Sequence, residues 1–197
     1  MVSVMKTEPE TRPAGRRALL HRPGALLAAV VVVMVVVVGV LLLTGAVGGS
    51  KDASSSAESR EVSVSELRDF AGSNGRTVYW AGGLPGRRLE ITEAERNVWV
   101  RYLTGDAVVG DGRPAFTTIG TYPFNSSLRE VRRRSKAKGM DSRPAPNGGL
   151  ATWSVKRPNS VYLAFPDSNV LVEVYDPDAE RARRFAISGD VAPIRSL

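Results

Sequence analysis

The chain contains no cysteine, and its single histidine, His21, stands before the first long apolar run. Without cysteine there is no disulfide, no thiolate nucleophile and no residue to carry a lipoprotein lipid, so any exported portion is held together by its own core. From residue 61 onward there is neither histidine nor cysteine. Ser-His-Asp and Cys-His nucleophilic systems therefore cannot be assembled there, nor can zinc, copper or haem sites that rest on those ligands. Phosphate-loop chemistry is equally poor in support. The stretch "AGGLPGRR" lacks the Gly-Lys-Ser/Thr ending that brings a lysine and a metal-binding hydroxyl to a phosphate chain, and it reads as a turn. "GDAVVGDGR" places Asp106 and Asp111 near glycines but lacks the alternating oxygen ligands and distal glutamate of an EF-hand. No metal ligand, cofactor or catalytic residue is assigned.

What the chain does have is a concentrated apolar run. Residues 25–47 read "ALLAAVVVVMVVVVGVLLLTGAV" without a charge, about 23 residues and long enough at 1.5 Å per residue to cross a ~30 Å hydrocarbon layer. In lipid a single segment must pair its own backbone groups, which predicts one spanning helix despite the valine content. Lys6, Arg12, Arg16, Arg17 and Arg22 precede the run and only Lys51 and Arg60 follow it closely. The positive-inside tendency then puts residues 1–24 in the cytoplasm and the long C-terminal part outside the cell membrane. A cleaved signal peptide is the rival reading, suggested by Ala46 and Gly48, but the run exceeds the usual 7–15-residue core of such a peptide.

Residues 48–60, "GGSKDASSSAESR", are small and polar and predict a flexible tether. Residues 61–197 hold all three tryptophans and are numerous enough to bury a core as one extracytoplasmic domain. A capping box at Ser63 and Glu66 opens a first helix with Leu67, Phe70 and Ala71 on its apolar face. Strands are expected at 77–81, 88–92, 98–103 and 115–122, then a second helix from Ser127 to about Lys138 with a second box at Ser127 and Glu130, and then a loop, "GMDSRPAPNGG". Strands at 151–155, 161–165 and 170–175 follow, and a last helix starts at Asp176 with Pro177 in its first position. Trp80, Leu89 and Val98 are spaced much as Trp153, Val161 and Val170 are, which predicts a duplicated α-β-β-β unit. The expected class is α+β, with helices on one face of a mainly antiparallel sheet.

Period-two alternation assigns the two faces. Val78, Trp80, Leu89, Ile91, Val98, Val100, Trp153, Val161, Leu163, Val170, Val172 and Val174 are expected towards the helices. The other face is expected to stay open. It would carry Tyr79, Trp99, Arg101, Tyr162, Glu173 and Tyr175 as a first candidate binding site, with Arg88, Glu90 and Leu171 beside them. Exposed tyrosine and tryptophan beside arginine suit a protein or glycan partner of the envelope. Glu90 and Glu173 on that face also make a carboxylate hydrolase conceivable, if they lie about 5–9.5 Å apart; the simpler expectation is that they pair with Arg88 and Arg101 across strands.

A second candidate is the basic stretch 128–138 in "SSLREVRRRSKAK". At helical spacing Arg129, Arg132, Arg133 and Lys136 form one stripe, opposite Leu128 and Val131. The first helix shares the serine, the Leu-Arg pair and an apolar residue but not the stripe, so architecture explains the echo and leaves the charge unexplained. Such a stripe is either a solvated face or an attractor of anionic lipid or wall polymer. Nucleic acid is disfavoured by the compartment and by the absence of a reader motif.

The words "VYWAG", "VWVRYL", "IGTYPF", "SVYLAF" and "VEVYDP" together resemble an uncharacterised family of single-pass actinobacterial membrane proteins. The resemblance covers most of the exported domain. It implies a bacterial, anchored protein and no particular activity, and it carries over no catalytic residue.

Overall fold

The computed structural model describes residues 57–73 and 75–194. The expected cytoplasmic tail, the span at 25–47 and the tether up to residue 56 lie outside the described residues. No helix among the described residues is long and apolar enough to cross a membrane.

The domain is α+β. Eight strands form one antiparallel sheet: β1 (Glu58–Val62), β3 (Arg88–Ala94), β4 (Asn97–Leu103), β5 (Thr117–Pro123), β6 (Met140–Pro144), β7 (Leu150–Ser154), β8 (Arg157–Ala164) and β9 (Val170–Tyr175). Their spatial order is β1-β3-β4-β5-β9-β8-β7-β6. A separate pair joins β2 (Tyr79–Trp80) to β10 (Ala192–Pro193). The helices are α1 (Val64–Ser73), α2 (Ser127–Ser135) and α3 (Ala179–Ser188).

Strand alternation builds the main core as expected. Leu89, Ile91, Val98, Val100, Ile119, Trp153, Val161, Leu163, Val172 and Val174 share one face and are buried against Leu67 and Ala71 of α1 and Ala182, Phe185 and Ala186 of α3. Burying a Val, Leu or Ile side chain contributes roughly 1.5–3 kcal/mol, which makes this face the main source of stability.

The helices do not, however, all lie there. Val131 of α2 packs with Tyr122, Ala164 and Leu171, and Leu128 joins them with Trp99 and Tyr162. The register places these sheet residues on the face away from α1 and α3: Tyr122 is opposite Leu171, and Tyr162 is opposite Glu173. The expectation of helices on one face is therefore corrected. The physical reason is that β5, β8 and β9 carry apolar residues on both faces, so alternation marks the larger core but does not leave the second face wet.

Other boundaries move as well. The tether was expected to run through residue 60, but Glu58–Val62 is an edge strand antiparallel to β3. The "GMDSRP" segment is the opposite edge strand, not a loop; its Pro144 is tolerated because an edge needs no ladder donor outward. The expected match of Trp80 to Trp153 does not hold in the sheet, since Trp80 lies in the detached β2 and Trp153 in β7. Asp176 is not the cap of α3. Asp178 is, accepting from the backbone N–H of Glu180 and Arg181, and buried Asp176 instead accepts from Thr117 and Arg181, fastening the helix start to β5.

Candidate functional site

Five of the six sheet-face candidates do share a face. Trp99, Arg101, Tyr162, Glu173 and Tyr175 lie on the α2 side of β4, β8 and β9. Tyr79 does not. It belongs to the β2–β10 pair, is buried in the main core and stacks on Phe165 with centroids 5.6 Å apart. Alternation could not find this, because it fixes a side chain only relative to its own sheet.

The shared face is roofed in two sections. Over β3 and β4 runs the connection 104–116, and three observations fix it. Buried Glu90 accepts from the Gly110 N–H at 2.7 Å, Arg101 donates to the Asp111 carbonyl, and Leu103, Ala107 and Phe116 form a small apolar cluster beneath it. Arg101 also pairs with Glu90 at 2.7 Å and stands 5.0 Å above the Phe116 ring centre. Tyr175 donates from its hydroxyl to the Pro114 carbonyl at 2.8 Å, closing the strap on the β9 side. Over β5, β8 and β9 lies α2. The face expected to be open is thus covered by a strap and a helix, and the bland pairing of Glu90 with Arg101 is the one that forms.

Between the two roofs is a buried polar chain. The Trp99 indole N–H donates to the Tyr122 hydroxyl at 2.9 Å, and that hydroxyl donates to Glu173 at 2.8 Å. Gly120 creates the space: it stands opposite both Trp99 and Glu173, and a Cβ there would lie 2.5 Å from the Tyr122 hydroxyl. Tyr122, two residues on and on the same face, folds its ring back over the glycine. Burial pushes the Glu173 carboxyl above the usual range, against the opposing bonds from Tyr122 and Ser160. Burial and then the Glu173 charge also push the Tyr122 hydroxyl well up. Glu173 itself is only 6% exposed. Sequence reasoning missed Gly120 and Tyr122. The signal available was a glycine inside a strand pattern, which marks a close approach.

Glu90 and Glu173 are not brought together. β4 and β5 intervene, three strand spacings or about 14 Å of backbone, and each carboxylate is held by its own partners, Arg101 and the Gly110 N–H for Glu90 and the Tyr122 hydroxyl for Glu173.

The basic candidate has the opposite character. Arg129, Arg132, Arg133 and Lys136 are all exposed, and α2 buries Val131 on its other side. Arg133 and Arg134 both donate to Glu130, which holds that carboxyl down at about 2. Arg129 donates to the Ser126 hydroxyl. Among the described residues no ion pair engages Arg129, Arg132 or Lys136. The expected box at Ser127 and Glu130 does not form, because Ser127 is buried and donates to the Ser168 carbonyl while Glu130 serves the arginines. The helix also stops at Ser135 rather than Lys138. Lys138, which closes the basic stretch beyond the helix, is exposed as well, and so are two cations outside it, Lys156 and Arg157.

No family model, no curated protein and no solved structure matches the chain.

Proposed function

We propose that the protein is a non-catalytic, membrane-anchored binding domain of a bacterial cell envelope, held by one span over residues 25–47, which engages an anionic polymer or surface through the outer side of α2. The observation that carries this reading is that Arg129, Arg132 and Lys136 project from a helix whose inner side is fully used in packing, with no acidic partner among the described residues. A solvated helix face needs some charge for solubility, but it has no need to hold three cations unpaired beside the Glu130-linked Arg133 and Arg134. Contact through the sheet face, the other reading of the sequence, has less surface to offer: Trp99 and Tyr162 pack against α2, Glu173 is buried, and Arg101 and Tyr175 are tied to the strap, each of these but Glu173 keeping only part of its surface.

Inorganic polyphosphate titrated into the full chain in detergent micelles at low salt tests the proposal. Each cation near an anionic surface contributes about 1 kcal/mol, so replacing Arg129, Arg132 and Lys136 with glutamine is expected to weaken binding by about 100-fold. Raising the salt is expected to do the same to the unaltered chain. Equal binding by the triple variant would overturn the reading.

A further inference from the structure

From the way two turns meet at the end of α2, we infer that the anionic ligand is the lipid surface itself, and that the domain lies against the bilayer with Val155 as an apolar contact inside a ring of cations. This inference rests on the polyanion reading and narrows it to one ligand class. Past the end of α2, the Gly139 carbonyl accepts from the Val155 N–H at 2.9 Å, which joins the α2–β6 turn to the β7–β8 turn. Val155 is 62% exposed, one of three large hydrophobic residues left out in the solvent among the described residues. Lys156 and Arg157 follow it directly, and Lys138 stands just before the carbonyl that holds it; all three are exposed. Arg157 pairs with Ser154 across the register shift that separates Trp153 from Ser154, so it stands beside the β7–β8 turn. Its field reaches Tyr162 together with that of Arg134.

The cations Arg129, Arg132 and Lys136 on the helix are thus followed by Lys138, Lys156 and Arg157 around the two joined turns, all of them exposed. The nearest carboxylate on β6, Asp141, lies opposite Trp153 and so belongs to the other face of the sheet. A soluble polymer would use the charges alone. An exposed valine at the centre of lysines and arginines adds what only an interface offers, since long basic side chains reach the headgroups while an apolar tip enters just below them.

The chain length allows this placement. The described chain begins at Ala57, about nine residues after the apolar run, and a segment of that length reaches no farther than about 32 Å. With α2 turned towards a bilayer, β1 stands roughly one helix layer, about 10 Å, above the helix axis, well inside that reach.

The absence of native cysteine makes the test direct. The full chain carrying V155C or, as a control on the β3–β4 turn, R96C is labelled with a nitroxide and reconstituted into vesicles of phosphatidylcholine alone or with about one third phosphatidylglycerol. The label at 155 is expected to become several-fold more accessible to oxygen than to a water-soluble nickel chelate in the anionic vesicles only. It should lose that preference when Arg129, Arg132 and Lys136 are glutamine, and the label at 96 should stay water-accessible throughout. A label at 155 that remains in water on anionic vesicles overturns the bilayer inference. If polyphosphate still binds through α2 in that case, the polyanion reading stands and only its narrowing to lipid fails; if polyphosphate binding is also indifferent to the triple variant, both fall.

Discussion

Two glutamates on the same sheet face were met by opposite solutions. Glu90, wholly buried, faces Arg101 across β3 and β4 and takes a second bond from the Gly110 backbone, so its charge is answered by a cation and a donor from the strap. Glu173, three strands away, has only hydroxyls for company: Tyr122, itself held by Trp99, and Ser160. The difference follows from the roof above each. A loop brings free backbone N–H groups and leaves room for an arginine, whereas a packed helix delivers apolar side chains and excludes both. Burial alone therefore says little about the state of an acid; what covers it decides.

The largest effect is expected where the compensated pair is broken. Arg101→Leu leaves Glu90 buried without its cation and removes the bond to the Asp111 carbonyl, a loss of about 3–5 kcal/mol in urea unfolding, with the 104–116 strap becoming the first segment cut by a protease. A loss below about 1 kcal/mol would mean that the strap, not the arginine, satisfies Glu90. Gly120→Ala attacks the other half: its methyl group meets the Tyr122 hydroxyl, and displacing the ring is expected to cost roughly 1–3 kcal/mol and to shift the Trp99 fluorescence. Unchanged stability and emission would show that the ring moves freely and that the polar chain is not required.

Acid titration separates the two kinds of carboxylate by sign. The folded state raises the Glu173 value, so within the window from about 4.5 upward the native protein holds a proton that the unfolded chain has released. Stability attributable to this group is present below that window and declines as pH rises through it, at up to ~1.4 kcal/mol per pH unit. Glu173→Gln keeps an acceptor for Tyr122 and should flatten that decline, which parallel unfolding curves at stepped pH would reveal; identical pH profiles would refute it. Glu130 works in the other direction. Arg133 and Arg134 lower it to about 2, so its contribution is complete above 4.5 and fades as pH falls towards 2. Being at the surface, it should change the midpoint least of all.

The two helices opened by Ser-x-x-Glu sharpen the same lesson. At α1 the Glu66 N–H donates to the Ser63 hydroxyl at 3.2 Å and the Ser63 N–H donates to the Glu66 carboxylate at 2.7 Å, a reciprocal cap in solvent. Ser63→Ala is expected to cost about 0.5–1 kcal/mol by thermal unfolding, and no loss would make the cap decorative. At α2 the same spacing yields no cap, because Ser126 in a left-handed conformation occupies the cap position and Ser127 turns inward to the Ser168 carbonyl. A local pattern survives only where nothing tertiary competes for its donors and acceptors.

The sequence by itself determined most of the large apolar face, since alternation assigns Leu89, Ile91, Val98, Val100, Trp153, Val161, Leu163, Val172 and Val174 to one side, and it determined the α1 cap and the exposed basic stripe, which depend on neighbours three and four residues away. It also settled the absence of histidine and cysteine chemistry after residue 61. Tertiary structure alone decided that β2 leaves the sheet and takes Tyr79 with it, that polar "ESREV" and proline-bearing "MDSRP" pair as edges, and that α2 closes the second face over Glu173. These outcomes depend on which distant surfaces meet, and the free energy that selects among them comes from burying both partners at once. No single segment carries that information, because each is compatible with more than one partner until the others are in place.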